Sequence, residues 1–125
     1  MSEPILTLRG TVCRGSGIAN PLYETPTANL FLPEPLAIEG GVYAAHVYYN
    51  EDEFEAIAVY QDEIPKFEVH LFDFSGDLYG KELKVELRRK VSEIVPWVTV
   101  ERMRQKILHD IELVHGYFAL SNDSP

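Results

Sequence analysis

The hydrophobic period of this chain changes once, near residue 99, and that change limits the fold more than any other feature. Up to Arg89 the chain runs in short strand-like segments, some with apolar side chains at every second position and others continuously apolar, β-branched and aromatic; from Val100 onward apolar side chains return every third or fourth. Period two belongs to strands with one buried face, and a three-or-four spacing belongs to one stripe of a helix. The strand runs are Ile5 to Arg14, Leu30 to Leu32, Val42 to Tyr49, Phe54 to Tyr60, Phe67 to Phe72 and Lys81 to Arg89. Asn50 to Glu53 reads as a hairpin turn between two of them. In the fifth run Phe67, Val69 and Leu71 share one face, and Glu68 and His70 share the other.

The stripe of Val100, Met103, Ile107, Ile111, Val114 and Phe118 predicts one amphipathic helix. Thr99 is placed to cap it, Pro96 stops the chain before it, and Gly116 is expected to fray its last turn. About six short strands followed by one helix predict a mainly β domain, either a small barrel or a sandwich, with the helix packed across it. Pattern alone does not choose between the two. With 125 residues there is room for one core. Residues 1–118 are expected to form the domain and 119–125 a disordered tail.

Charge and cysteine content exclude several classes of function. A formal net charge of −9 argues against binding nucleic acid, whose phosphates need a basic face. The charge is uneven. Glu51, Asp52, Glu53 and Glu55 cluster at the hairpin, and Lys81, Lys84, Arg88, Arg89 and Lys90 lie along one run. Both read as solvated faces. Cys13 is the lone cysteine, so no internal disulfide and no cysteine zinc site is available. The start Met1-Ser2-Glu3-Pro4 has no signal-peptide pattern, and no apolar run approaches the roughly 18–20 residues of a membrane span. A cytoplasmic, monomeric protein without membrane or nucleic-acid partners is expected.

Three segments carry residues suited to chemistry. Gly15-Ser16-Gly17 opens a polar loop that ends in Pro26-Thr27-Ala28-Asn29. Glycines let backbone N–H groups approach a phosphate. Thr27 and Asn29 are two apart, so on extended chain they point the same way, and their oxygens suit a hard cation such as Mg²⁺. A tight turn followed by a strand start explains the same residues without function. Gly40-Gly41-Val42-Tyr43-Ala44 reads as a turn into a buried strand. In Phe67-Glu68-Val69-His70-Leu71-Phe72-Asp73-Phe74, Glu68 is either a solvated strand residue or a carboxylate at a pocket mouth, and His70 reads as structural. Asp77-Leu78-Tyr79-Gly80 follows.

Taken in this order, from about Leu8 to about Val114, the segments resemble the riboflavin kinase (flavokinase) family. The resemblance rests on Pro26-Thr27-Ala28-Asn29, Gly41-Val42-Tyr43, Glu68-Val69-His70 with Asp73-Phe74, Asp77-Leu78-Tyr79-Gly80 and the final helix. It implies a six-stranded antiparallel Greek-key barrel with one C-terminal helix. It implies transfer of the ATP γ-phosphoryl group to the 5′-hydroxyl of riboflavin, giving FMN, with Mg²⁺ accompanying ATP. Thr27 and Asn29 would then hold the metal and phosphates. The Gly15, Ser16 and Gly17 loop would cover those phosphates, and Glu68 would be the catalytic base. Tyr79, in the segment from Asp77 to Gly80, would border the flavin. Trp97 or the helix start near Met103 would offer the ring a wall.

The loop from Ile18 to Thr25 departs from the family. It lacks the family's Arg, a bidentate phosphate donor, and carries Glu24 instead, leaving Arg14 as a substitute cation. The stretch Ala56 to Lys66 is shorter and more acidic than the family's, and Val91-Ser92 stands where a Leu-Arg is usual. An active kinase with rebuilt loops and a non-catalytic flavin- or nucleotide-binding module on the same barrel are both expected outcomes of such changes. A plain protein-interaction barrel is a third. Thr27, Asn29 and Glu68 favour catalysis, because a barrel core requires none of them. The adenylyltransferase domain that often accompanies this family lies outside the chain, so synthesis of FAD is not expected of it.

Overall fold

The computed structural model describes residues 3–13, 28–63, 65–96 and 99–122. Six strands form a closed antiparallel barrel and one helix packs on its outside: β1 Leu6–Cys13, β2 Ala28–Leu30, β3 Gly41–Tyr49, β4 Asp52–Gln61, β5 Lys66–Leu71, β6 Glu82–Ser92 and α1 Val100–Asn122. Around the barrel the order is β1-β2-β5-β4-β3-β6. Strands β3, β4 and β5 are consecutive neighbours, and β6 returns to lie beside β3, which is the Greek-key connection. Closure leaves no exposed sheet edge, which settles the choice between barrel and sandwich.

The inward residues follow the period of two. Val47, Tyr60, Phe67, Val69, Leu83, Val85 and Leu87 are fully buried inside the barrel. Tyr60 brings a hydroxyl into this core and satisfies it by accepting from the Leu36 amide at 2.9 Å. A second, smaller core lies outside the barrel, where Val42, Ala44 and Ile57 meet Val114 and Phe118 of the helix. Each of those larger side chains contributes roughly 1.5–3 kcal/mol by leaving water.

Local chemistry sets the element ends. The β3–β4 turn is tighter than the sequence suggests: Tyr49 pairs with Asp52, so only Asn50 and Glu51 form the loop. Asn50 takes φ 57°, a left-handed conformation that Asn tolerates better than most residues. Thr99 caps the helix as expected, its Oγ1 accepting from the Arg102 amide at 3.1 Å. The helix does not fray at Gly116. It continues through Asn122, four residues past the expected domain end at 118; residues 123–125 lie outside the described part. A glycine inside a helix costs about 1 kcal/mol relative to alanine. Burial of Val114 and Phe118 on either side of it exceeds that cost. No helix among the described residues is long and apolar enough to cross a membrane.

Candidate active site

Strand register assembles the site. On the outer face of the barrel Asn29 of β2 lies opposite Glu68 of β5, and Glu68 lies opposite Val59 of β4. Val59 lies opposite Val42 of β3, and Val42 opposite Ser92 of β6. Directly paired residues project to the same side of a sheet, so these five side chains form one row around the barrel. From Glu68 to Ser92 the row crosses three strand gaps, about 14 Å along the sheet. Its ends are polar and its middle is aliphatic.

The N-terminal half of α1 does not lie flat on this row. Between helix and sheet is a cleft of about 920 Å³, within the range of small-molecule sites. Val42, Ile57 and Val59 form its sheet wall, Ile94, Val95 and Pro96 the side wall, and Met103 and Ile107 the helix wall. Six carboxylates (Glu39, Asp62, Glu63, Glu68, Glu93, Asp110) line it together with three ammonium groups (Lys66, Lys90, Lys106). That balance disfavours an anionic occupant and suits a neutral one with a large apolar surface.

Glu68 stands at the cleft's edge with its side chain 18% exposed. Lys66, two residues back on the same face, holds Oε1 at 2.8 Å and so fixes the angle of the carboxylate. Asn29 is one strand further round, beside Glu68 and outside the cleft lining. These two are therefore brought together. Thr27 and the loop of Gly15, Ser16 and Gly17 lie outside the described residues, as do Arg14 and Trp97. Tyr79 does not line the cleft. Its amide donates to Asp77 Oδ1 at 2.9 Å, Gly80 N donates to Val12 O at 2.9 Å, and its ring is half exposed. Those bonds tie the 77–80 loop to the end of β1, the strand that pairs with Asn29 through Cys13.

His70 faces a separate groove with Phe72 and His115, the latter two rings 4.4 Å apart, and burial pushes its pKa down. Among the described residues no three His, Cys, Asp or Glu side chains converge as a metal site.

Four residues of the cleft stand outside the motifs that the sequence offers. Lys66 and Lys90 read as solvated charge. Lys90 crosses the backbone at Gly41, where an added Cβ would stand 2.5 Å from the lysine Cε; that close approach is a reason for glycine there. It then pairs with Glu93 at 2.7 Å. Lys106 and Asp110 sit one turn apart on the helix. Asp110 falls between Ile107 and Ile111 on the buried side of the stripe, a position where a charge is unexpected.

A family model described as flavokinase, riboflavin kinase, matches residues 3–118. The chain belongs to the riboflavin kinase family. A bifunctional riboflavin kinase/FMN adenylyltransferase of Buchnera aphidicola subsp. Acyrthosiphon pisum is 29% identical over 124 residues, which cover 91% of this chain and 39% of that protein. The chain thus spans about two-fifths of the length of that relative. A solved structure of a protein described as a macrolide-efflux protein from Streptococcus pneumoniae superposes with a TM-score of 0.80 at 26% identity, covering 90% of this chain and 38% of that one. The riboflavin kinase of Trypanosoma brucei superposes with a TM-score of 0.68 at 16% identity, covering 90% and 76%, which shows the shared fold. The six-stranded barrel with its terminal helix is therefore the riboflavin kinase fold, and Asn29, Glu68 and the cleft occupy one continuous face of it.

Proposed function

We propose that this chain is a riboflavin kinase, transferring the γ-phosphoryl group of ATP to the 5′-hydroxyl of riboflavin to give FMN and ADP. The observation that carries the reading is the row itself. An amide oxygen donor and a carboxylate sit side by side at one end, and an apolar wall under a cleft continues from them. A flavin offers the matching order: a reactive hydroxyl, a flexible polyol and a flat, uncharged ring.

In this reading the ring lies between Val42, Val59 and Met103, and the polyol reaches Glu68. The hydroxyl oxygen attacks the γ-phosphorus while the bond from that phosphorus to the bridging oxygen of ADP breaks. The hydroxyl proton passes to the Glu68 carboxylate late in the step. Phosphoryl transfer asks little covalent chemistry of a protein and much positioning. Lys66 contributes by holding Glu68 at a fixed angle. The acidic cleft keeps the triphosphate at the Asn29 end; Tyr79, expected to border the flavin, stands outside the cleft on the loop tied to the end of β1.

Mg²⁺ takes hard oxygen ligands and completes its shell from phosphates and water, so the Asn29 side-chain oxygen beside Glu68, with Thr27 two residues before it in the sequence, suits that ion. Bound there with ATP, it would supply neutralisation of charge between the β- and γ-phosphates.

The test is FMN formation, separated by chromatography, from the purified chain with riboflavin, ATP and Mg²⁺. Turnover lost in Glu68→Gln with riboflavin binding kept is expected. A chain that binds riboflavin and makes no FMN is instead the binding module.

A further inference from the structure

Asp110 is 4% exposed, and it is the buried charged residue of the described chain. One of its oxygens, Oδ2, accepts from Lys106 Nζ at 2.5 Å; the other, Oδ1, has no hydrogen-bond partner among the described residues. Lys106 Nζ also donates to Ser92 Oγ at 2.6 Å. An ammonium has three N–H donors and a carboxylate several acceptor positions. After these two bonds the pair retains one donor on Lys106 and one acceptor on Asp110, and both residues line the cleft. An unsatisfied buried carboxylate oxygen is costly, and most such groups in folded proteins have a partner. This pair stands at the end of the row opposite Glu68.

We propose that Lys106 and Asp110 form the specificity-determining contact for the substrate ring, reading the imide edge of the flavin's pyrimidine ring. This rests on the flavin reading given above. An imide presents an N–H donor beside a carbonyl acceptor, the complement of one acceptor beside one donor. The Lys106 N–H donates to a ring carbonyl, and the ring N3–H donates to Asp110. Rotation about the Asp110 Cβ–Cγ bond, a broad torsion, turns an oxygen toward the cleft. The dimethylbenzene end of the ring has no group that satisfies either partner, so the pair also sets which way round the flavin enters. With the polyol held at Glu68, the row fixes both ends of the substrate.

The experiment is equilibrium binding by quenching of flavin fluorescence, without nucleotide, using riboflavin and 3-methylriboflavin, which lacks the N3–H. The wild-type chain is expected to bind riboflavin about tenfold or more tightly than the methylated analogue, as for loss of one hydrogen bond to a charged group. Asp110→Ala is expected to weaken riboflavin by a similar factor and to bind the two flavins equally. Equal affinity of the wild-type chain for both flavins overturns the proposal, and needs no variant to fold. So does an Asp110→Ala chain that weakens both by the same factor, since that marks a structural ion pair. A wild-type chain that binds riboflavin but ignores the methyl group leaves the kinase reading standing; one that binds no riboflavin defeats both.

Discussion

The two halves of α1 carry the same apolar stripe and do different things with it. From Ile111 to Phe118 the helix lies on the barrel: Val114 and Phe118 are buried against Val42, Ala44 and Ile57, and Ile111 and Tyr117 pack at the margin. From Met103 to Asp110 it roofs the cleft instead, and Met103 and Ile107 face space that the sheet does not fill. Lys106 and Asp110 sit at the changeover. Equal periodicity thus supports a dry contact in one half and the roof of an open cleft in the other. Spacing reports which side of a helix is apolar, not whether protein or substrate covers it.

Mutations can break this division. The largest effect is expected at the edge of the open half. Glu68→Gln keeps the shape of the side chain and removes its ability to take a proton, so turnover should fall by about 10²–10⁴-fold. Riboflavin affinity and melting temperature should change little, because Glu68 lies on the outer face and not in the core. Equal loss of stability and turnover would make Glu68 structural. In the closed half, Phe118→Ala should cost about 3 kcal/mol of stability by opening a cavity. The folded fraction should keep its flavin affinity, measured by fluorescence titration at low temperature. Met103→Ala should do the reverse on a smaller scale, with under about 1 kcal/mol lost in denaturant unfolding and a several-fold weaker flavin complex. If Met103→Ala destabilises the chain as much as Phe118→Ala, the two halves are one core and the division fails.

The sequence makes some of this visible. The strands β1, β5 and β6 and the helix stand out because burial on one face imposes a period, whereas β3 and β4, with buried residues on both faces, stand out by their β-branched and aromatic content. The strand β2 is shifted from the expected Leu30 to Leu32 to Ala28–Leu30, and it is short enough that its partners set its bounds. Closure of the barrel is a property of pairing between distant segments, and alternation within a segment carries no information about it. The same holds for Asn29 and Glu68. Each is an unremarkable polar residue in its own strand, and only the β2–β5 register makes them neighbours. The family resemblance supplied that link where local pattern does not. Lys90 is hidden for another reason. Register shifts between β3 and β6 near Val42 and Ala44 break simple alternation there, so its place in the cleft follows from no period. Asp110 was legible in principle, as a charge on the apolar side of the stripe.

The smallest expected effect separates the halves by pH. His46 lies under the closed half, its ring 4.9 Å from that of Phe118. Arg88 Nε donates to Nδ1 at 3.2 Å, so the fold uses the neutral imidazole as an acceptor. Glu53 is 3.6 Å from Nε2, and Glu55 and Glu86 are also near. Burial pushes the His46 pKa below 6.5, against the pull of Glu53 and with the help of Arg88. Burial alone lowers His70. A histidine depressed in the fold binds its proton more readily when unfolded. Its contribution to stability is therefore complete above 6.5 and declines as the pH falls from there through the lower folded value. Moving from pH 7.5 to 5.5 should lower the melting temperature. His46→Gln should remove part of that slope and His46→Gln/His70→Gln most of it, while flavin affinity of the folded chain stays level. A double variant that melts with the wild-type pH dependence would take the effect away from these two histidines, and the closed half would lose its claim to be the pH-sensitive one.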